Sequence, residues 1–356
     1  MRDVKQIKIG DRLIGDGCEC YTIAEAGANH DSDINKALKL IDAAKEGNAD
    51  SIKFQTYKAE KLVTKTAPKY WDDGNPKETQ YDVFKKLDNL TDDNWKEIFE
   101  YANKQEITCF STPFDNGSVD FLYSLNVPAF KIASADITDI PLIKHIAKKD
   151  LPIFISTGMA NDEEIEFAVN TIQDQGNHEI IIMHCITSYP TKPQDANLQM
   201  IRTLQEKFPD NIIGFSDHTL GTTIAVFSTF YGAKCIEKHF TFDNSLNKSP
   251  DHKLSLNSKG FSELKRLLKL STISRGSPER ISFDAEKEAV KFARRSIVSK
   301  EKIEKNTIIE ERMLDIKRPG TGISPKFLDE IIGSKIINDI EEDTPIQWKD
   351  ISKNDE

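Results

Sequence analysis

From Tyr21 onward, short β-branched apolar runs alternate with longer stretches in which apolar residues recur every three to four positions. That rhythm predicts parallel strands joined by crossover helices. Strand patterns fall at residues 21–26, 51–55, 108–112, 129–134, 153–157, 180–185, 212–216 and 234–239, and helical patterns at 34–46, 92–104, 140–148, 162–175, 198–208 and 258–270. Eight strand–helix repeats in about 250 residues match a closed (β/α)8 TIM barrel better than an open sheet.

Ahead of the first strand, Ile7-Lys8-Ile9 and Arg12-Leu13-Ile14 flank Gly10-Asp11, the pattern of a two-stranded hairpin placed to cover the bottom of the barrel. The second strand–helix connection swells into a polar insertion, residues 58–90, that carries Tyr70, Trp71, Tyr81 and Phe84. Connections of that length are commonly lids or binding loops. Composition shifts again at Ser274-Arg275-Gly276-Ser277-Pro278, which divides the chain into a barrel domain (1–275, hairpin included), a linker (276–292) and a small C-terminal domain (293–356). So small a unit has a thin core and is expected to lean on another surface.

Acidic and basic residues are interspersed, 58 against 48, for a net charge of −10. That balance weighs against nucleic acid and anionic membranes as partners, so any anion site must be built locally. No secretory or membrane-spanning segment is evident at the start of the sequence, and the five cysteines read as reduced thiols, so a cytoplasmic location is expected. Cys18-Glu19-Cys20 invites a metal reading, but no second pair follows it.

Polar residues collect where the strands end, which is where barrels of this type build their sites. They include Glu25, Lys53 with Gln55, Ser111-Thr112, Lys131 with Ser134 and Asp136, Ser156-Thr157, His184 to Tyr189, Ser216-Asp217-His218, and Glu237-Lys238-His239. Lysines inside apolar strands cost too much desolvation to stand unpaired. Lys53 and Lys131 among hydroxyls suit a small, highly charged anion such as a phosphate beside a carboxylate. Internal pairing with Glu25, Asp136 or Glu237 is the alternative, and a Schiff-base lysine at Lys131 is a third. His218 and His239 end consecutive strands, which suits either a divalent metal or two structural imidazoles.

These segments together resemble the sialic acid (nonulosonic acid) synthase family over nearly the whole chain. The resemblance is carried by Ala24-Glu25-Ala26-Gly27-Ala28-Asn29-His30, Lys53-Phe54-Gln55, Ser111-Thr112-Pro113-Phe114-Asp115, Lys131-Ile132-Ala133-Ser134, Ser156-Thr157-Gly158-Met159, Gly214-Phe215-Ser216-Asp217-His218-Thr219 and Ser249-Pro250-Asp251-His252. The tail, Arg294-Arg295-Ser296 through Arg318-Pro319-Gly320-Thr321-Gly322, is similar to the antifreeze-like SAF domain.

The resemblance implies condensation of phosphoenolpyruvate with an N-acetylated hexosamine of the mannosamine type to a nine-carbon 2-keto acid and phosphate; legionaminate- or pseudaminate-type synthesis from a diacetamido hexose is the alternative. It implies that Lys53, Thr112, Lys131, Ser134, Ser156, Thr187 and Ser216 cradle phosphoenolpyruvate. His218 and His239 would hold Mn²⁺ (or Mg²⁺ or Co²⁺), polarising the sugar aldehyde. Glu25, Gln55, Tyr189 and Asp251 would meet the sugar, with Arg318 supplied by the partner chain of a domain-swapped homodimer. Glu25, Lys53, Lys131 and Asp136 are the implied catalytic set, Asp136 taking the proton of the attacking water. Two positions depart from the family pattern: Asp136 stands where many members carry Glu, and Thr187-Ser188 replaces an Asn-containing turn. A non-catalytic carbohydrate-binding relative is the remaining reading, opposed by the presence of both lysines and both histidines.

Overall fold

The computed structural model describes residues 5–71, 77–246, 248–279 and 283–352. Parts of the expected insertion, linker and C-terminal end therefore lie outside the described residues. The chain divides into two compact units, Met1–Gly276 and Ser277–Glu356.

In the first unit, β1 (Gln6–Ile9) and β2 (Arg12–Gly15) form an antiparallel hairpin. Eight parallel strands follow: β3 (Tyr21–Gly27), β4 (Ser51–Thr56), β5 (Thr108–Pro113), β6 (Phe130–Ile132), β7 (Ile153–Ser156), β8 (Ile180–Cys185), β9 (Ile212–Asp217) and β10 (Cys235–His239). They pair in chain order and close through β10 onto β3, so the molecule is the TIM barrel that the rhythm predicts. Ile9 and Ile14 of the hairpin are fully buried in the barrel core, and the Gly10 turn abuts Thr108 at the amino end of β5. The hairpin thus covers the end opposite the strand carboxyl termini.

Helices begin where side-chain oxygens meet the otherwise unpaired first amides. Asp33 caps α1 (Ile34–Glu46), and Thr79 caps a helix inside the insertion, α3 (Gln80–Leu87), which follows a single turn, α2 (Ala59–Leu62). Thr91 caps α4 (Asp92–Lys104), Asp115 caps α5 (Asn116–Ser124), Asp139 caps α6 (Ile140–Ala147) and Asn161 caps α7 (Asp162–Gln173). The remaining crossovers are α8 (Gln199–Lys207), α9 (Thr223–Phe230) and α10 (Ser258–Arg275).

Besides the single turn α2, three helices of the first unit lie outside the expected helical patterns. In α9, Thr-Ile-Ala-Val-Phe-Ser-Thr-Phe has no polar face, and Phe227 and Phe230 end up half-exposed. Both α3 and α5, of eight and nine residues, run only a little over two turns. The sixth strand is shorter than its apolar run, because Ser134–Asp136 turns into a 3-10 helix that carries Asp136 over the barrel rim. Cys18 and Cys20 lie in the turn between β2 and β3, partly exposed rather than in a strand, and all five cysteines are free thiols.

Inward-facing side chains beneath the rim are apolar. Phe110 and Phe154 stack with ring centroids 5.3 Å apart, and Cys235 Sγ lies 3.2 Å from Met183 Sδ. Gly214 makes that contact possible, since a Cβ there would sit 2.3 Å from Cys235 Sγ. In the second unit, Ser296–Ser299 pairs with Leu314–Lys317 and Lys335–Ile336 with Ile351–Ser352 around a small core containing Ile297, Ile323, Ile331 and Ile346. Among the described residues, no helix is long and apolar enough to cross a membrane.

Candidate active site

Alternation along a strand sends every second side chain into the barrel. On β4 these are Lys53 and Gln55, and on the neighbouring strands Glu25, Thr112, Lys131, Ser156, Ser216 and Glu237. Thr56 faces the other way, where its hydroxyl meets that of Ser111 at 2.8 Å.

The two lysines are almost wholly buried, 2% and 3% exposed, and they do not stand alone. Lys53 pairs with Glu25, lies 3.7 Å from Glu237 Oε2 and donates to Thr112 Oγ1 at 3.0 Å. Lys131 lies 3.9 Å from Glu237 Oε1 and donates to Ser156 Oγ at 2.6 Å. Ser216 donates to Glu237 at 2.9 Å, and Gln55 to Glu25 at 3.1 Å. Two cations and two carboxylates therefore balance at the mouth. The internal pairing considered from sequence and the anion cradle are the same set of residues. Glu237, expected only as an internal ion-pair partner and given no substrate or catalytic role, is the hinge of this quartet, standing near both lysines.

Burial pushes Glu25 up to about 7 against the pull of Lys53. For Glu237, burial is overcome by Lys131 and Lys53, and its carboxyl falls below the ordinary range. Burial likewise lowers the Lys131 ammonium despite Glu237. Lys53, between both carboxylates, is raised in spite of its burial.

Ser134 and Thr187 meet across the loop after β7. The Gly158 amide donates to Ser134 Oγ at 3.1 Å, and a Cβ on Gly158 would lie 2.3 Å from Thr187 Oγ1 and 2.8 Å from Ser134 Oγ. Only a residue without a side chain leaves both hydroxyls there, and Thr187 Oγ1 is buried without a hydrogen-bond partner. Asp136, on the adjoining turn, also keeps a buried oxygen, Oδ2, with no partner. Burial and then Asp139 push its carboxyl up to about 6.

Across the mouth, His218 and His239 face each other with ring centroids 5.3 Å apart. His218 Nδ1 bonds the Ile186 carbonyl at 2.8 Å, which leaves Nε2 as the nitrogen available to a metal. His239 Nδ1 is buried with no hydrogen bond and stands 3.7 Å from Asp251 Oδ2. Burial, and then His218, hold the His239 imidazole neutral by lowering its pKa far below the ordinary value. Two imidazole nitrogens beside a carboxylate fit a divalent cation, which would displace any proton held by His218, whose pKa is raised, against its burial, by Cys185 and the Ile186 carbonyl. Among the described residues no group of three or more His, Cys, Asp or Glu forms a metal cluster, and of the residues expected at a metal the structure brings together the two imidazoles. Tyr189 covers the pair, its ring 4.2 Å from His218 and 5.8 Å from His239.

The aim of His218 is fixed from behind. Asp217, fully buried, accepts from the Thr219 amide at 2.8 Å and hydroxyl at 3.2 Å, and Lys238 Nζ bridges Asp217 Oδ2 at 3.1 Å to the Thr219 carbonyl. The backbone on both sides of the imidazole is thereby pinned. Lys238 is structural, as is His184, whose Nε2 bonds the Ala196 carbonyl at 2.8 Å. His30 packs edge-on against Trp95 and is a loop residue away from the quartet. Arg318 is exposed and belongs to the second unit.

Comparison with known proteins shows where the chain as a whole belongs. The NeuB family matches residues 40–280, and the SAF domain matches residues 294–352. An N,N'-diacetyllegionaminic acid synthase of Legionella pneumophila is 38% identical over 95% of this chain and 96% of its own length. A pseudaminic acid synthase of Helicobacter pylori is 34% identical over 93% and 97%. The crystal structure of an N-acetylneuraminic acid (sialic acid) synthetase from Leptospira borgpetersenii superposes with a TM-score of 0.72 at 32% identity, covering 82% of this chain and 97% of the other. With a closed barrel, a polar mouth of this composition and matches that span both units, the chain belongs to the NeuB family of sialic-acid-type synthases and carries a C-terminal SAF domain.

Proposed function

We propose that this NeuB-family synthase, an enzyme of the phosphoenolpyruvate-condensing class, takes a 2,4-diacetamido hexose as acceptor and forms a nine-carbon 2-keto acid of the legionaminate or pseudaminate type. The convergence of Lys53 and Lys131 with His218 and His239 at one rim carries the reaction class. The relatives named for diacetylated and pseudaminic products favour the diacetamido sugar over a mannosamine bearing a single acetamido group.

In this reading phosphoenolpyruvate enters between the two lysines, its phosphate and carboxylate replacing Glu237 as their counter-charges. Thr112, Ser156 and Ser216 already bond the quartet, and their hydroxyls pass to the substrate, joined by Ser134 and Thr187 on either side of Gly158. His218 and His239 would hold a divalent cation, which when bound would supply Lewis acidity at the sugar aldehyde. Glu25 and Gln55 orient the open-chain sugar from below, and Tyr189 and Asp251 from the rim. The enol carbon attacks the aldehyde carbon, the carbonyl π bond opens onto oxygen, which takes a proton from solvent to become a hydroxyl, and cationic character is left at carbon two. Asp136 takes a proton from the water that adds there, and the tetrahedral product of that addition expels phosphate. A carboxyl raised to about 6 is suited to such a base, since it is ionised near neutrality yet accepts a proton more readily than an ordinary aspartate. Arg318 would reach the sugar from a second copy of the chain in a swapped dimer.

Phosphate release from phosphoenolpyruvate, with Mn²⁺ and a panel of 2-acetamido and 2,4-diacetamido hexoses, tests the assignment. Turnover with a diacetamido hexose is expected. Turnover confined to the mannosamine type would overturn the choice of sugar, and none with any of them would overturn the synthase reading. Mixed dimers of an Arg318→Ala chain and a Lys131→Ala chain recover activity if the second copy completes the site.

A further inference from the structure

The inward row of β4 continues past the strand end. Lys53 and Gln55 are followed by Tyr57, and on β5 Phe110 and Thr112 are followed by Phe114. Gln55 is registered against Thr112, and one step higher the Tyr57 and Phe114 rings meet edge-on at 5.9 Å. Tyr57 is thus one layer, about 6–7 Å, above the level at which Gln55 holds Glu25. Phe84 of α3 packs 5.5 Å from Tyr57 and 6.0 Å from Trp71, so the insertion folds its aromatic residues over this layer. Tyr57, 93% buried by its 7% exposure, and Trp71 each bury their one polar atom, Oη and Nε1, with no hydrogen-bond partner. Buried polar atoms without partners are costly, and two around one phenylalanine form a coherent feature.

We infer that Tyr57 and Trp71 form the subsite for the N-acyl group farther from the aldehyde of the acceptor sugar, an inference that rests on the synthase reading above. An indole N–H only donates, while a phenol both donates and accepts. An acetamido group offers a carbonyl oxygen to the first, an amide N–H or the same carbonyl to the second, and a methyl to the Phe84 and Phe114 faces. A hydroxyl would leave the apolar faces unfilled. Glu25 and Gln55 meet the sugar in the reading above, and the layer directly above Gln55 is that of Tyr57 and Phe114, where a substituent farther along the sugar chain arrives. The electrostatics agree on the location: the Tyr57 phenol is pushed up by burial and then by Asp88 and Asp251, and that of Tyr70 by burial and then Asp251, the carboxylate beside His239.

The test compares wild type, Tyr57→Phe and Trp71→Phe, each checked by thermal unfolding, for phosphate release with a 2,4-diacetamido hexose and with N-acetylmannosamine, and for binding of each sugar by calorimetry without phosphoenolpyruvate. Expected is a rise of about tenfold in KM and Kd for the diacetamido sugar in each variant, with values for N-acetylmannosamine and phosphoenolpyruvate unchanged. Equal losses for both sugars, or no loss for either, would overturn the subsite. If wild type turns over the diacetamido sugar and both variants match it, the subsite alone falls. If wild type shows no turnover with either sugar, the synthase reading falls, and the calorimetric comparison still decides the subsite.

Discussion

Replacing Glu237 by Gln keeps shape and one hydrogen-bond acceptor for Ser216 but removes a charge from the quartet. Glu237 stands 3.7 Å from Lys53 and 3.9 Å from Lys131. At an effective dielectric constant of about 20, each pair is worth roughly 4 kcal/mol before desolvation is subtracted. Removing one member of a buried set leaves an unbalanced cation and costs about 3–5 kcal/mol. For a unit of this size that is a fall in Tm of roughly 5–15 °C. The same change makes the mouth more cationic, so an anion should recover what the protein lost. Calorimetric melting with and without phosphoenolpyruvate, in the absence of metal, measures both quantities. The variant should melt lower than wild type, gain more from phosphoenolpyruvate and bind it at least about tenfold tighter. A variant that melts with wild type and binds phosphoenolpyruvate no better would refute the argument that Glu237 is the stand-in counter-charge for the anion.

Asp136 has a folded pKa of about 6, above its unfolded value of 3.8, so its contribution disfavours folding once it ionises: stability is kept below pH about 4 and lost as pH rises through 6. Asp136→Asn should therefore stabilise the protein by about 1–3 kcal/mol at pH 8 and not at pH 4, read by urea unfolding, while the acid limb of kcat/KM near pH 6 disappears with most of the activity. Gly158→Ala drives a methyl into the space between Ser134 and Thr187, and should raise KM for phosphoenolpyruvate at least tenfold with little effect on sugar binding by calorimetry. Thr219→Val removes one bond from the frame behind His218; Mn²⁺ titration followed by electron paramagnetic resonance should show affinity weakened about tenfold in a normally folded protein, and unchanged affinity would assign the frame to folding alone.

Much of this molecule was legible before it was seen folded. Alternating patterns of two and about three and a half residues place eight strands and most of the crossover helices because each element must present one apolar side to a common core, and that requirement is local. Strand-end chemistry was legible for a related reason: a lysine in an apolar run, as in Ile52-Lys53-Phe54, has to be explained by something that neutralises it. What stayed hidden lacks a local signature. The apolar helix α9 has no polar side to betray its period, and nothing in the row of residues distinguishes Gly158 from a turn glycine until Thr187, nearly thirty positions on, packs against it.

The sequence alone determined which side chains arrive at the carboxyl end of the barrel, because strand periodicity decides inward or outward and strand ends decide height. Tertiary structure decided what those side chains do to one another. Closure of β10 onto β3 brings Glu237 between Lys53 and Lys131, pairings that join residues far apart in the chain. Charge balance, hydrogen-bond partners and pKa all depend on distances of a few ångströms across that closure, and no property of a linear chain contains such distances.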